Sequence, residues 1–217
     1  MTTGTKRRES ALANRKTIGA SLLAGVGALA VALGAPLAAQ ALSGVVSEGD
    51  LDVIEVEAAE SSPGVWDVEL VGHDHGTDTE FDPADVTYEV TAVDGVGYIA
   101  EGEALSAGFS AGDEDFLADL QGGDVTFTLA SASRSGSTTG SGNVEIYDGK
   151  SIDIAFNADS YGTSGSEDFV LSGHTHPDWE FHGQGTYTLV FTVSATPNPG
   201  ITVNGLPDNV TVTVEVI

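Results

Sequence analysis

After residue 50 the chain alternates apolar and polar residues with a period of two. Val65–Leu70, Val86–Val90, Val125–Leu129, Ile152–Phe156, Tyr187–Val193 and Val210–Val216 each set β-branched or aromatic side chains against polar ones. Successive residues of a strand point to opposite faces, so this pattern predicts half-buried strands rather than amphipathic helices. Turn residues punctuate them: Asp94-Gly95, Gly122-Gly123, Asp148-Gly149 and Asn204-Gly205 stand at spacings that suit hairpins. Many short strands joined in this way predict an all-β fold, an antiparallel immunoglobulin-like β-sandwich. Val125, Phe127, Leu129, Tyr187, Leu189, Phe191, Val193, Val212 and Val214 are expected in its core, because a one-residue slip of register would expose them all. One short helix is expected over Asp113–Leu120, with Asp113 as its cap and Phe116, Leu117 and Leu120 turned inward. Residues Ser131–Gly142 have almost no apolar content and read as a flexible loop without chemistry.

The first 41 residues break the pattern. Lys6, Arg7, Arg8, Arg15 and Lys16 are followed by an apolar run from Ile18 to Leu37, and Ala39-Gln40-Ala41 offers small residues for cleavage before Leu42. That order predicts a secretory signal peptide over 1–41, with an uncleaved anchor as the alternative. Residues 42–217 are long enough for one buried core and are read as a single domain. The strand pattern runs to Ile217 with no apolar span or basic tail behind it, so no membrane segment is expected beyond the signal. The expected location is extracellular or at the cell surface.

Charge narrows the partners. The chain carries 33 acidic and 7 basic residues, a formal net charge of −26, and after residue 41 the only basic side chains apart from histidine are Arg134 and Lys150. Such a surface repels nucleic acid and anionic lipid and gathers cations, which excludes a nucleic-acid partner. Cysteine is absent, so neither a disulfide framework nor a thiolate metal site can form. There is no G-x-S-x-G elbow and no H-E-x-x-H helix, and no enzyme is expected.

The histidines carry the chemistry. All five fall in two segments, Gly72-His73-Asp74-His75 and Gly173-His174-Thr175-His176-Pro177-Asp178-Trp179-Glu180-Phe181-His182. In an extended strand each His-x-His pair aims two imidazoles to one side, and imidazole nitrogen suits zinc and other divalent transition metals. The plain alternatives are surface imidazoles at strand ends, and His182 reads equally as a free surface residue. The acidic run Asp74, Asp78, Glu80, Asp82 and Asp85 makes calcium the lesser cofactor candidate, because it lacks the spacing of a calcium loop.

The second histidine segment, followed by Gly185-Thr186-Tyr187-Thr188-Leu189-Val190-Phe191, resembles the actinobacterial surface-anchored protein repeat, whose hallmark is G-x-H-x-H-x-x-W-x-F leading into G-x-Y-x-x-x-F. Val71-Gly72-His73-Asp74 with Phe81-Asp82-Pro83-Ala84-Asp85-Val86 is similar to the other end of the larger choice-of-anchor M domain, and together the likeness covers most of residues 45–217. The resemblance implies a secreted or wall-attached β-rich protein whose relatives accompany metal-uptake ABC transporter components, with a role in binding or handing over a divalent metal. This chain departs from the family in three ways: Asp50 stands where the family has a histidine, the Trp-rich central stretch is missing, and no sorting signal follows Ile217. The expected ligands are His73, His174 and His176, with His75 or Asp50 as the fourth. The competing reading is a structural or interaction module of the cell envelope that holds no metal.

Overall fold

The computed structural model describes residues 42–136, 139–149, 152–159, 162–163 and 168–217, and the expected signal peptide, residues 1–41, lies outside them. In chain order the strands begin with β1 (Gly44–Val46), β2 (Gly49–Ser62), β3 (Val65–Asp74), β4 (Thr79–Phe81), β5 (Val86–Val90), β6 (Gly97–Ile99) and β7 (Leu105–Ser110). A five-residue helix, α1 (Glu114–Ala118), follows. Then come β8 (Val125–Ser135), β9 (Asn143–Tyr147), β10 (Asp153–Asn157), β11 (Gly162–Thr163) and β12 (Asp168–Leu171). The last strands are β13 (His174–Thr175), β14 (Asp178–His182), β15 (Gly185–Ser194), β16 (Thr202–Asn204) and β17 (Asp208–Val216). Among the described residues no helix is long and apolar enough to cross a membrane.

The strands form three sheets. The first has the order β1-β5-β17-β15-β8-β12, the second β11-β10-β9-β14-β6, and the third β13-β7-β2-β3-β16 with β4 against β3. The fold is all-β as expected, and the residues expected in the core are buried, from Val125, Phe127 and Leu129 to Val212 and Val214. The helix also forms: the Asp113 carboxylate accepts a hydrogen bond from the Phe116 N–H at 2.8 Å, and Phe116, Leu117 and Leu120 are buried.

Two expectations are corrected. The first and third sheets are mixed rather than antiparallel, because β1–β5, β5–β17, β2–β7 and β3–β16 pair in parallel, while the second is antiparallel throughout. Turn residues report only how sequence neighbours meet; these partners come from distant segments that alternation cannot match. Nor is Ser131–Ser135 a loop. It continues β8 against β15, where Thr186–Val190 supply the ladder partners, so the long neighbouring strand overrides a polar local composition. The side chain of Arg134 in this stretch is covered, ion-paired with Asp159 and donating to the Thr139 carbonyl at 3.0 Å.

One apolar core runs through all three sheets, and Phe109 of β7 stands where they meet. Its ring lies 5.6 Å from Phe127, 4.9 Å from Phe169 and 5.5 Å from Phe191 of the first sheet. On another side it stacks on Trp179 of β14 at 5.4 Å. Edge and offset stacking of this kind adds about 0.5–1.5 kcal/mol per pair beyond burial. Trp179 also donates its indole N–H to the Ala107 carbonyl at 3.0 Å, tying β14 to β7. The strand β7 is thereby fixed from its inner face, which sets the position of what its outer face presents.

Candidate metal centre

The outer face of β7 carries Ser106 and Gly108, alternating with the inward Ala107 and Phe109. Gly108 pairs with Asp52 of β2, and Asp52 pairs in turn with His73 of β3. On the other side of β7, His174 pairs with Ser110 and Thr175 with Phe109, a register that brings His176 alongside Gly108. Side chains opposite one another share a face, so His176 and Asp52 converge across the glycine. The absence of a side chain there is required: a Cβ on Gly108 would lie 2.5 Å from the Asp52 Oδ1 and 2.5 Å from the His176 Nε2.

Asp52, His75, His174 and His176 form the centre, each offering one ligand atom within 4.8 Å of the others. Asp52 Oδ1 lies 2.9 Å from the His174 Nε2 and 3.5 Å from the His176 Nε2, while Oδ2 lies 3.2 Å from the His75 Nε2. The two Nε2 atoms of His174 and His176 are 2.9 Å apart. Donors bonded to one zinc ion at about 2.0–2.1 Å in a tetrahedron stand roughly 3.4 Å from each other. The four residues could therefore hold a metal ion with small side-chain adjustments.

The floor is buried and the mouth is open. Asp52 is 1% exposed and His176 10%, whereas His75 and His174 are 33% and 46% exposed. Ser106 Oγ stands 2.6 Å from the His176 Nδ1, and Asp50 Oδ1 stands 3.3 Å from the same nitrogen. Such partners hold an imidazole in the tautomer that leaves Nε2 free to ligate. A cavity of about 730 Å³ opens beside His174 and His176, with Asp50, Glu101, Asp148 and Asp178 among its walls.

Charge in the centre is mutually set. Burial pushes the Asp52 carboxyl up, but hydrogen bonding to His174 and His176 and the charge of the imidazoles outweigh it and bring the pKa down to about 2. Hydrogen bonding to that carboxylate raises the His174 pKa above its ordinary value against the opposing effect of burial. Asp52 is thus ionised across the whole physiological range, an anion ready to ligate.

Of the five residues singled out in the sequence, His75, His174 and His176 meet at one point. His73 packs its ring edge-on against His75 at 4.8 Å, yet its nitrogens face Glu55 and Asp78, each at 3.3 Å. Asp50 faces the far nitrogen of His176 rather than the shared point. The carboxylate that joins the imidazoles is Asp52, two residues on. In the acidic run proposed for calcium, Asp74 accepts from the Gly76 N–H and the Thr77 hydroxyl, and Asp82 caps the turn Pro83–Asp85. Asp52, Ser106 and Gly108 were missed. Their signals were present: an aspartate inside the apolar run Leu51–Ile54, and a lone glycine inside a strand.

Compared with known proteins, the chain matches no family model, no curated protein and no solved structure.

Proposed function

We propose that this protein is an exported, cell-surface or secreted β-protein that binds a divalent transition metal, zinc foremost, through Asp52, His75, His174 and His176. The observation that carries the reading is the convergence of three imidazoles on a buried carboxylate 122 residues from His174 in the chain. Burial of an ionised carboxylate is costly unless cations or hydrogen bonds face it, and an arrangement that concentrates this many nitrogen donors on it suits a borderline-soft ion. The open mouth, the acidic cavity beside it and the resemblance to the choice-of-anchor M and surface-anchored repeat families support a role in holding zinc for transfer. The partner would be a metal-uptake ABC transporter component or another envelope protein. The three sheets would then be an elaborated immunoglobulin-like sandwich, and residues 1–41 the export signal.

The test is metal content. The full chain, purified without a histidine tag and dialysed against zinc, should retain the ion at Asp52, His75, His174 and His176, and the double variant His174→Ala/His176→Ala should lose that equivalent while keeping its far-ultraviolet β spectrum. A double variant that retains as much zinc as the parent would leave only the second reading, an envelope module whose histidines are packing elements.

A further inference from the structure

The geometry points to a second divalent-metal site, independent of the first, formed by Glu145, Glu180 and His182 on the outer face of the second sheet. Strands β9 and β14 bury Val144, Ile146, Trp179 and Phe181 on one face, so period two turns Glu145, Glu180 and His182 to the other. Glu180 is directly opposite Glu145 in the antiparallel ladder. Like charges in that relation repel, and among the described residues His182 is the ion-pair partner of both.

His182 supplies a second, independent observation. Its Nε2 is shielded from solvent and has no hydrogen-bond partner. That nitrogen lies 3.4 Å from the Glu180 Oε2 and 3.6 Å from the Glu145 Oε1. Those separations exceed the range of about 2.7–3.2 Å for an N–H···O hydrogen bond. They match the roughly 3.4 Å edge of a tetrahedron of donors around an ion bonded at about 2.0–2.2 Å. Two like-charged carboxylate oxygens and a ring nitrogen at this spacing leave a point among them that a cation can fill.

The carboxylate is also oriented from behind. Tyr147 donates its hydroxyl to the Glu180 Oε1, which leaves Oε2 directed at His182. One imidazole and two carboxylates suit a divalent first-row ion, with water in the remaining position. This is a different donor set from the three imidazoles and one carboxylate of the first centre.

The experiment is a zinc titration of the full chain in 0.15 M salt with excess magnesium, read as bound ions per chain. The parent should bind two, His182→Gln and Glu145→Gln one each, His174→Ala/His176→Ala one, and the combination of both sets none. Glutamine at 182 leaves every acidic charge in place, so loose ion binding to an anionic surface would not change. Glu145→Gln relieves the like-charge pair and serves if His182→Gln does not fold. Should both single variants bind as many ions as the parent, or His174→Ala/His176→Ala bind none, the second site is overturned. A loss in His182→Gln alone, with none in His174→Ala/His176→Ala, supports this site and counts against the first.

Discussion

Replacing Asp52 by asparagine tests the centre most directly. The change keeps the volume of the side chain and one oxygen, but removes the buried charge that the three imidazoles share. Groups that merely orient a ligand are worth about 10- to 100-fold in metal affinity, so loss of the charged donor itself should weaken zinc by at least about 100-fold, or roughly 2.7 kcal/mol. The metal-free protein gives a second magnitude. Asp52 is shifted down from 3.8 to about 2, and at about 1.36 kcal/mol per unit this contributes about 2 kcal/mol of stability. The folded pKa is depressed, so that contribution is present above pH 3.8 and disappears as the pH falls through 2. Urea unfolding of parent and Asp52→Asn should therefore show a gap that shrinks by about 2 kcal/mol between pH 5 and pH 2. A competition titration against a chromophoric chelator at pH 7.5 reads the zinc term. Affinity within tenfold of the parent, or a gap identical at the two pH values, would refute the reasoning.

Two further outcomes are expected. Gly108→Ala should weaken zinc by tenfold or more, with a cost of about 1–3 kcal/mol for displacing Asp52 and His176 from the new methyl, read by the same chelator competition and by urea midpoint. The pH dependence should change sign with loading: the raised pKa of His174 means that its pairing with Asp52 stabilises the metal-free protein below pH 6.5 and fades as the pH rises through the raised value, whereas zinc needs neutral imidazole and binds better over the same rise. Melting curves from pH 5 to 8.5 with and without zinc should diverge accordingly, and parallel curves would contradict it.

Most strands were legible because burial on one face writes itself into the sequence as alternation, and Tyr187–Val193 is the clearest case. Pairing was not. Whether β2 lies parallel to β7 depends on contacts between segments that share no local pattern, and Ser131–Ser135 became strand only because β15 is there to pair with it. The clustering of histidine was likewise visible, while the choice among them was not. The register of β2 shifts between Asp52 and Ile54 against β7, and between Asp52 and Glu55 against β3, so Leu51, Asp52, Val53 and Ile54 are all buried in succession. Simple alternation puts Asp50 and Asp52 on one face with equal claim; the irregularity just after Asp52 and the gap left by Gly108 decide between them.

The chain order of the four donors has a consequence for how an ion could be acquired. Asp52 and His75 belong to the first hairpin, whereas His174 and His176 arrive on a two-residue edge strand that cannot pair until β7 is in place. Closing so long a loop costs entropy, and β7 is itself positioned by the packing of its inner face on Phe127, Phe169, Phe191 and Trp179. A half-made chain offers only isolated His-x-His pairs, which are weak chelators. An ion held by all four donors would therefore be retained only by a molecule that has finished folding.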